Sequence, residues 1–232
     1  MVVRLPTGRG VRIAVVDSGV HAAHPHVGSV AGGVAIDDDG REYDDYVDRL
    51  GHGTAVAAAI REKAPDAEIY AVKVFDRSLS TRISALVAAI DWSAANGMHL
   101  VNLSLGTARM EHERVLTEAI LRAAARGAVV VAAAEDDGVR WLPGSLPGVV
   151  SVRLDESCPR HEYRVGGVGG AVIFCASGFP REIPGVPPER NLNGISFAVA
   201  NMSGFAACAR EEALDGSIDE MVRLLAVRGR GA

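Results

Sequence analysis

Three polar residues stand where apolar runs stop or start, and their types suit nucleophilic chemistry. Asp17 follows RIAVV, His52 lies between two glycines in GHGTAVA, and Ser196 stands in NGISFAVA. A serine hydroxyl is a weak nucleophile until an adjacent imidazole takes its proton. The imidazole needs a carboxylate that fixes its tautomer and stabilises the imidazolium. A helix amino terminus adds backbone N–H groups and a positive dipole end, which favour a developing oxyanion. Singly, each residue has a plainer reading: an Asp after a strand is a turn or cap residue, and a Ser in a first helical turn is a cap. Together, in the order Asp, His, Ser, they point to acyl transfer.

Such residues need a scaffold that brings distant segments together. Strand-length apolar runs recur at VRIAVV (11–16), EIYAVKV (68–74), HLVNLSL (99–105), AVVVAAA (128–134), GVVSV (148–152) and GAVIFCA (170–176). They are nearly continuous rather than alternating, as in strands covered on both faces. Helical patterns separate several of them: 54–64, 81–97 with Thr81 as N-cap and Gly97 as stop, and 112–127. The alternation predicts an α/β fold with a doubly wound, mostly parallel sheet. In such sheets ligands bind at the carboxyl ends of strands, where the three residues fall. The Pro- and Gly-rich stretch 178–194 reads as a surface loop, followed by a long buried helix, an amphipathic segment and a frayed tail, RGRGA. No linker or repeat divides the chain, so residues 1–232 read as one domain.

The chain of 232 residues carries 24 Lys and Arg against 29 Asp and Glu, for a net charge of −5. That balance, without a basic patch, weighs against nucleic acid and anionic membranes as partners. No apolar run is long enough to span a bilayer, and MVVRLPTGRG lacks the apolar core of a signal peptide. Three widely spaced cysteines, Cys158, Cys175 and Cys208, read as reduced thiols. Cys175 and Cys208 are expected as buried small hydrophobes. A cytoplasmic location is the expectation.

The motifs resemble those of the subtilisin-like serine proteases over nearly the whole chain. VRIAVVDSGVHAAHP resembles the family's Asp segment and GHGTAVA its His motif; IYAVKV and VNLSLG resemble a core strand and the substrate-binding strand. WLPGSLPGVVSV is similar to the segment after the oxyanion loop, and LNGISFAVANMSG to the serine motif. The resemblance implies a three-layer subtilisin-like fold with helices on both faces of the sheet. It implies a serine endopeptidase with Asp17, His52 and Ser196 as triad. Ser104, Leu105 and Gly106 would bind an extended peptide or protein segment by β-augmentation, with Ala133, Ala134, Glu135 and Trp141 completing the cleft. Trp141 either narrows the specificity pocket or packs in the core.

The chain departs from the family where the oxyanion hole should be. An Asn normally follows the strand there and donates its amide; here the segment reads AAAEDDG, and Asp136 takes that place. An ionised carboxylate cannot donate, and in subtilisin loss of this donor costs about 10²–10³ in turnover. Two readings remain open. In one, Asp136 stays protonated beside Glu135 and Asp137 and donates as an acid, with the Ser196 N–H as its partner in the hole. In the other the hole is broken and the chain is a peptide-binding pseudoprotease. A peptide ligase or cyclase using the same acyl-enzyme is a third outcome. Ile195 replaces the Thr before the nucleophile, and Ala200 replaces a Pro. AAAIREKAPDAEIYAV leaves no room for the usual calcium loop, so no metal and no cofactor is expected. His21, His24 and His26 lack a recognised ligand spacing. The acidic run 37–48 reads as a solvated loop, or, with 135–137, as a reader of Arg or Lys near the cut.

Overall fold

The structure, a computed structural model, describes residues 5–168, 171–213 and 218–231. In chain order the strands are β1 (Arg12–Asp17), β2 (Gly32–Ile36), β3 (Glu42–Tyr43), β4 (Glu68–Lys73), β5 (Leu100–Leu103) and β6 (Val129–Ala133). They continue as β7 (Glu135–Asp136), β8 (Val139–Arg140), β9 (Val149–Leu154), β10 (Tyr163–Val168), β11 (Ala171–Ala176) and β12 (Arg230–Gly231). The helices are α1 (His52–Lys63), α2 (Ile83–Ala95), α3 (Glu113–Ala125), α4 (Ile195–Glu212) and α5 (Ile218–Arg228). One sheet runs in the order β12-β10-β11-β9-β6-β5-β1-β4-β2-β3. Its β10–β11 and β2–β3 neighbours are antiparallel and the rest parallel.

The continuous apolar strands have two cores to fill. On β1, Ile13 and Val15 pack into a core with α1, α4 and α5, while Ala14 and Val16 pack into a second core with α2 and α3. Alternate side chains thus meet helices on opposite faces, which makes the three layers and explains the missing polar alternation. Ile13 is fully buried, and truncating such a side chain to Ala costs about 2–5 kcal/mol. The three-layer α/β architecture expected from the sequence, a mostly parallel sheet with helices on both faces, is the one observed.

Several local expectations change. Thr81 does not cap α2. Arg82 holds the cap position without a side-chain bond; Asp38 instead accepts from the Arg82 N–H at 3.1 Å and the Thr81 hydroxyl at 3.2 Å. The tail is not wholly frayed, since Arg230 and Gly231 pair in parallel with β10. Cys158 is buried, but Cys175 and Cys208 are only half-buried. Burial pushes all three thiols up, Cys208 to about 11. The glycine-bearing strands β2 and β10 lie outside the predicted runs.

The end of α1 is secured by Arg61. Its guanidinium donates to the carbonyls of Val27 (3.0 Å), Ser29 (3.0 Å), Pro65 (2.9 Å) and Ala67 (2.6 Å). The chain then passes directly into β4 through residues 64–67. Among the described residues no helix is long and apolar enough to cross a membrane.

Candidate active site

β1 delivers Asp17 as its last residue, fully buried. α1 begins at His52, whose Nδ1 lies 2.8 Å and 2.9 Å from the two Asp17 carboxylate oxygens. The approach depends on the residue after His52. A side-chain carbon at Gly53 would sit 2.2 Å from the Gly19 carbonyl and 3.1 Å from Asp17 Cβ, so only glycine lets the helix reach the strand end. Burial alone would lower the His52 imidazole. The hydrogen bond and charge of Asp17, with Asp48 behind it, outweigh that and hold it above its ordinary value.

Asp48 is a support that sequence reading placed in a solvated loop. It is buried. Its carboxylate accepts from the Ser18 hydroxyl (2.8 Å), from the N–H groups of Leu50, Gly51 and Thr54 (each 2.9 Å) and from the Thr54 hydroxyl (2.6 Å). Ser18 Oγ in turn accepts from the Gly53 N–H at 2.9 Å. The amino end of α1, otherwise rich in unmatched donors, is therefore locked to the loop after β1.

α4 carries Ser196 as its second residue, and its hydroxyl donates to the Ser104 carbonyl at 3.3 Å. The neighbouring Phe197 ring packs on the His52 imidazole with centroids 5.5 Å apart. His52 and Ser196 share a cavity of about 270 Å³ with Ser104, Leu105, Gly106, Ala133, Asp136 and Trp141. Phe75, Leu79, Ile195 and Val199 complete its wall. Phe75 and Leu79 were missed as cleft residues because they follow β4 outside any motif.

AAAEDDG resolves into three separate roles. Asp137 and Gly138 both have positive φ, 48° and 75°, between the paired strands β7 and β8. This two-residue Asp-Gly hairpin turn was legible as a dipeptide. Glu135 forms an ion pair with Arg153 and does not line the cavity. Asp136 does line it, and among the described residues its carboxylate has no hydrogen-bond or ion-pair partner. Burial, and then the adjacent Asp137, push it above the usual carboxylate range.

Ala134 also stays out of the cavity, with its N–H given to Val152 and its carbonyl taken by the Trp141 N–H, each at 2.9 Å. Trp141 is half-buried with its ring against Gly106, so it lines the cleft rather than filling the core. Beyond it, Thr107 and Leu142 exchange both backbone bonds, at 2.9 Å and 2.8 Å. Among the described residues no three His, Cys, Asp or Glu side chains converge to hold a metal ion. The His24 and His26 rings simply meet edge to face, with centroids 5.3 Å apart.

Comparisons with known proteins identify the family and the fold. The family model described as the subtilase family matches residues 8–157. The chain is 31% identical over 218 residues to an alkaline protease of Alkalihalobacillus alcalophilus, covering 89% of this chain and 55% of that one. It is equally 31% identical over 218 residues to Subtilisin Savinase of Lederbergia lenta, covering 89% and 78%. It thus spans about half the length of some curated relatives that it matches. Among solved structures, Sphericase superposes with a TM-score of 0.76 at 25% identity, covering 97% of this chain and 86% of that one. With the Asp, His and Ser segments in the family's order and fold, the chain belongs to the subtilase family.

Proposed function

We propose that the protein is a serine endopeptidase that cuts an extended peptide or protein segment through an acyl-enzyme on Ser196. The observation that carries this reading is the buried Asp17–His52 pair at the head of α1, sharing one cavity with Ser196 at the head of α4. His52 takes the Ser196 proton as the oxygen attacks the scissile carbonyl, then returns it to the departing amine. Water repeats the sequence on the ester. Asp17 holds the imidazole with Nδ1–H directed at itself, leaving Nε2 as the base. A peptide N–H that takes the Ser104 carbonyl displaces the Ser196 hydroxyl from it, so substrate docking frees the nucleophile to turn to His52.

Asp136 supports the oxyanion as a neutral acid. Its lack of donors among the described residues and the upward direction of its shift, from burial and then Asp137, favour the protonated form, whose O–H offers a donor where an ionised carboxylate would repel. Trp141, with its ring against Gly106, takes up room in the cavity, which favours a small residue before the cut. The three free cysteines fit a reducing, cytoplasmic setting.

A fluorophosphonate probe tests the reading. Wild type is labelled and Ser196→Ala is not, and the labelled wild type loses all peptidase activity. A wild type that stays unlabelled removes the enzyme and leaves a peptide-binding module. Cleavage of a mixed peptide library then reads the pocket. Ala or Gly before the cut outperforms Phe, and an equal rate for Phe removes the role given to Trp141.

A further inference from the structure

Resting on that reading, we infer that the cleft continues into a subsite for an acidic side chain, held by Arg109 three or four residues from the scissile bond. A groove of about 540 Å³ shares Leu105 and Gly106 with the catalytic cavity and runs on past Thr107. In a chain of net charge −5, none of the described residues lining this groove is a carboxylate, while Arg82, Arg109 and His112 all line it. Arg82 is already engaged with Asp38 at 3.6 Å and Asp39 at 3.9 Å. The Arg109 guanidinium, among the described residues, has no ion pair and no hydrogen bond. Its backbone is nonetheless fixed, with its N–H given to the Thr107 hydroxyl at 3.1 Å.

The backbone pairing says why a side chain must be read there. A peptide aligned on Ser104–Gly106 is held by main-chain hydrogen bonds, but those of Thr107 are taken by Leu142. Past Gly106 the Thr107 backbone cannot continue that pairing, so side chains gain weight in gripping the peptide there. At about 3.3 Å per extended residue, the step from Ser104 to Thr107 is on the order of 10 Å, which places the third or fourth peptide residue beside Arg109. A guanidinium presents its donors as a planar fork that matches a carboxylate, with ring N–H support from His112.

Several of the carboxylates that made the chain look suited to basic substrates are committed elsewhere. Asp48 locks α1, Asp38 holds the start of α2, and Glu135 pairs with Arg153.

The test separates this subsite from the chemistry. Labelled peptides that differ only by Glu, Gln or Lys at the third or fourth position from the cut, on either side of it, are titrated by anisotropy against Ser196→Ala. Glu binds about three- to tenfold tighter than Gln at one such position, and the ratio shrinks as salt is raised. Arg109→Ala brings the Glu-to-Gln ratio to about one, and Arg109→Glu turns the preference toward Lys. Peptides that bind alike, or not at all, overturn the subsite. So does a Glu preference that survives Arg109→Ala. Wild-type cleavage of the same peptides reads the catalytic proposal separately: selective binding without any cleavage keeps the subsite and removes the peptidase.

Discussion

Asp17, at the end of β1, and Asp136, in the hairpin that follows β6, serve the same cleft, yet they are held in opposite ways. Asp17 is fully buried and surrounded by donors, with the Ser18 N–H at 2.7 Å and the His52 Nδ1 at 2.8 Å. Asp136 is half-exposed and has no donor at all among the described residues. A carboxylate ringed by N–H groups works as an acceptor that aims an imidazole. One given no donors and set beside Asp137 keeps its proton more readily and can itself donate. Burial alone does not assign such roles, since the more buried of the two is the one built to carry charge.

The contrast breaks most visibly at Asp17. Asp17→Asn leaves the size of the side chain but favours the wrong imidazole tautomer, and kcat for peptide hydrolysis is expected to fall about 10⁴-fold with the fold intact by circular dichroism. At Asp136 the expected loss depends on what replaces it. Asp136→Ala removes the donor and lowers kcat about 10²–10³-fold, whereas Asp136→Asn keeps or raises it.

A pH–rate profile sharpens this. The acid arm falls as His52 takes a proton, at a pH above its ordinary value because its pKa is raised. If the Asp136 proton supplies the donor, activity falls again at higher pH as that proton leaves, and Asp136→Asn removes that fall alone. Collapse of activity in folded Asp136→Asn would sink the acid-donor reading.

Smaller effects are expected one layer out. Asp48→Ala leaves several donors of α1 unmatched and costs about 1–3 kcal/mol in urea unfolding. Burial would raise the Asp48 carboxyl, but its hydrogen bonds from Thr54, Leu50 and Gly51 bring it below the usual range. A lowered folded-state pKa contributes stability that is present above the unfolded value and lost as pH falls through the folded one. The difference between wild type and Asp48→Ala is therefore expected to shrink in acid. Glu135→Gln, which breaks a partly exposed pair with Arg153, shifts stability by less than about 1 kcal/mol and leaves the pH profile of hydrolysis unmoved. A changed profile would place Glu135 in the same electrostatic unit as Asp136.

The doubly covered strands and the segments around Asp17, His52 and Ser196 were legible because their chemistry is local: unbroken apolar runs, and polar residues where those runs end. β2 and β10 escaped because GGVAI and YRVGGV carry glycines that read as loop. Asp48 escaped for another reason. Its partners Ser18 and Thr54 lie 30 and 6 residues away, so a side chain bound on several sides looks in sequence like one more acid in a charged run. The Asp-Gly turn was visible and went unused, because three adjacent acids drew the reading toward charge rather than backbone. Phe75, Leu79 and Arg109 belong to no motif, and only the meeting of the segments after β4 and β5 makes them cleft residues.

Arg61 bears on how such an enzyme would survive its own company. A chain must be drawn out into an open cleft to be cut, and every copy of a peptidase is surrounded by other copies. One guanidinium binds carbonyls from residues 27–29 and 65–67, so its loss would free both segments from the end of α1 at once. In a peptidase, Arg61 would thus act as a rivet that keeps two loops from being drawn out together. Arg61→Ala would show itself first as new nicks at those two segments during storage, before any change in the rate at which a foreign peptide is cut.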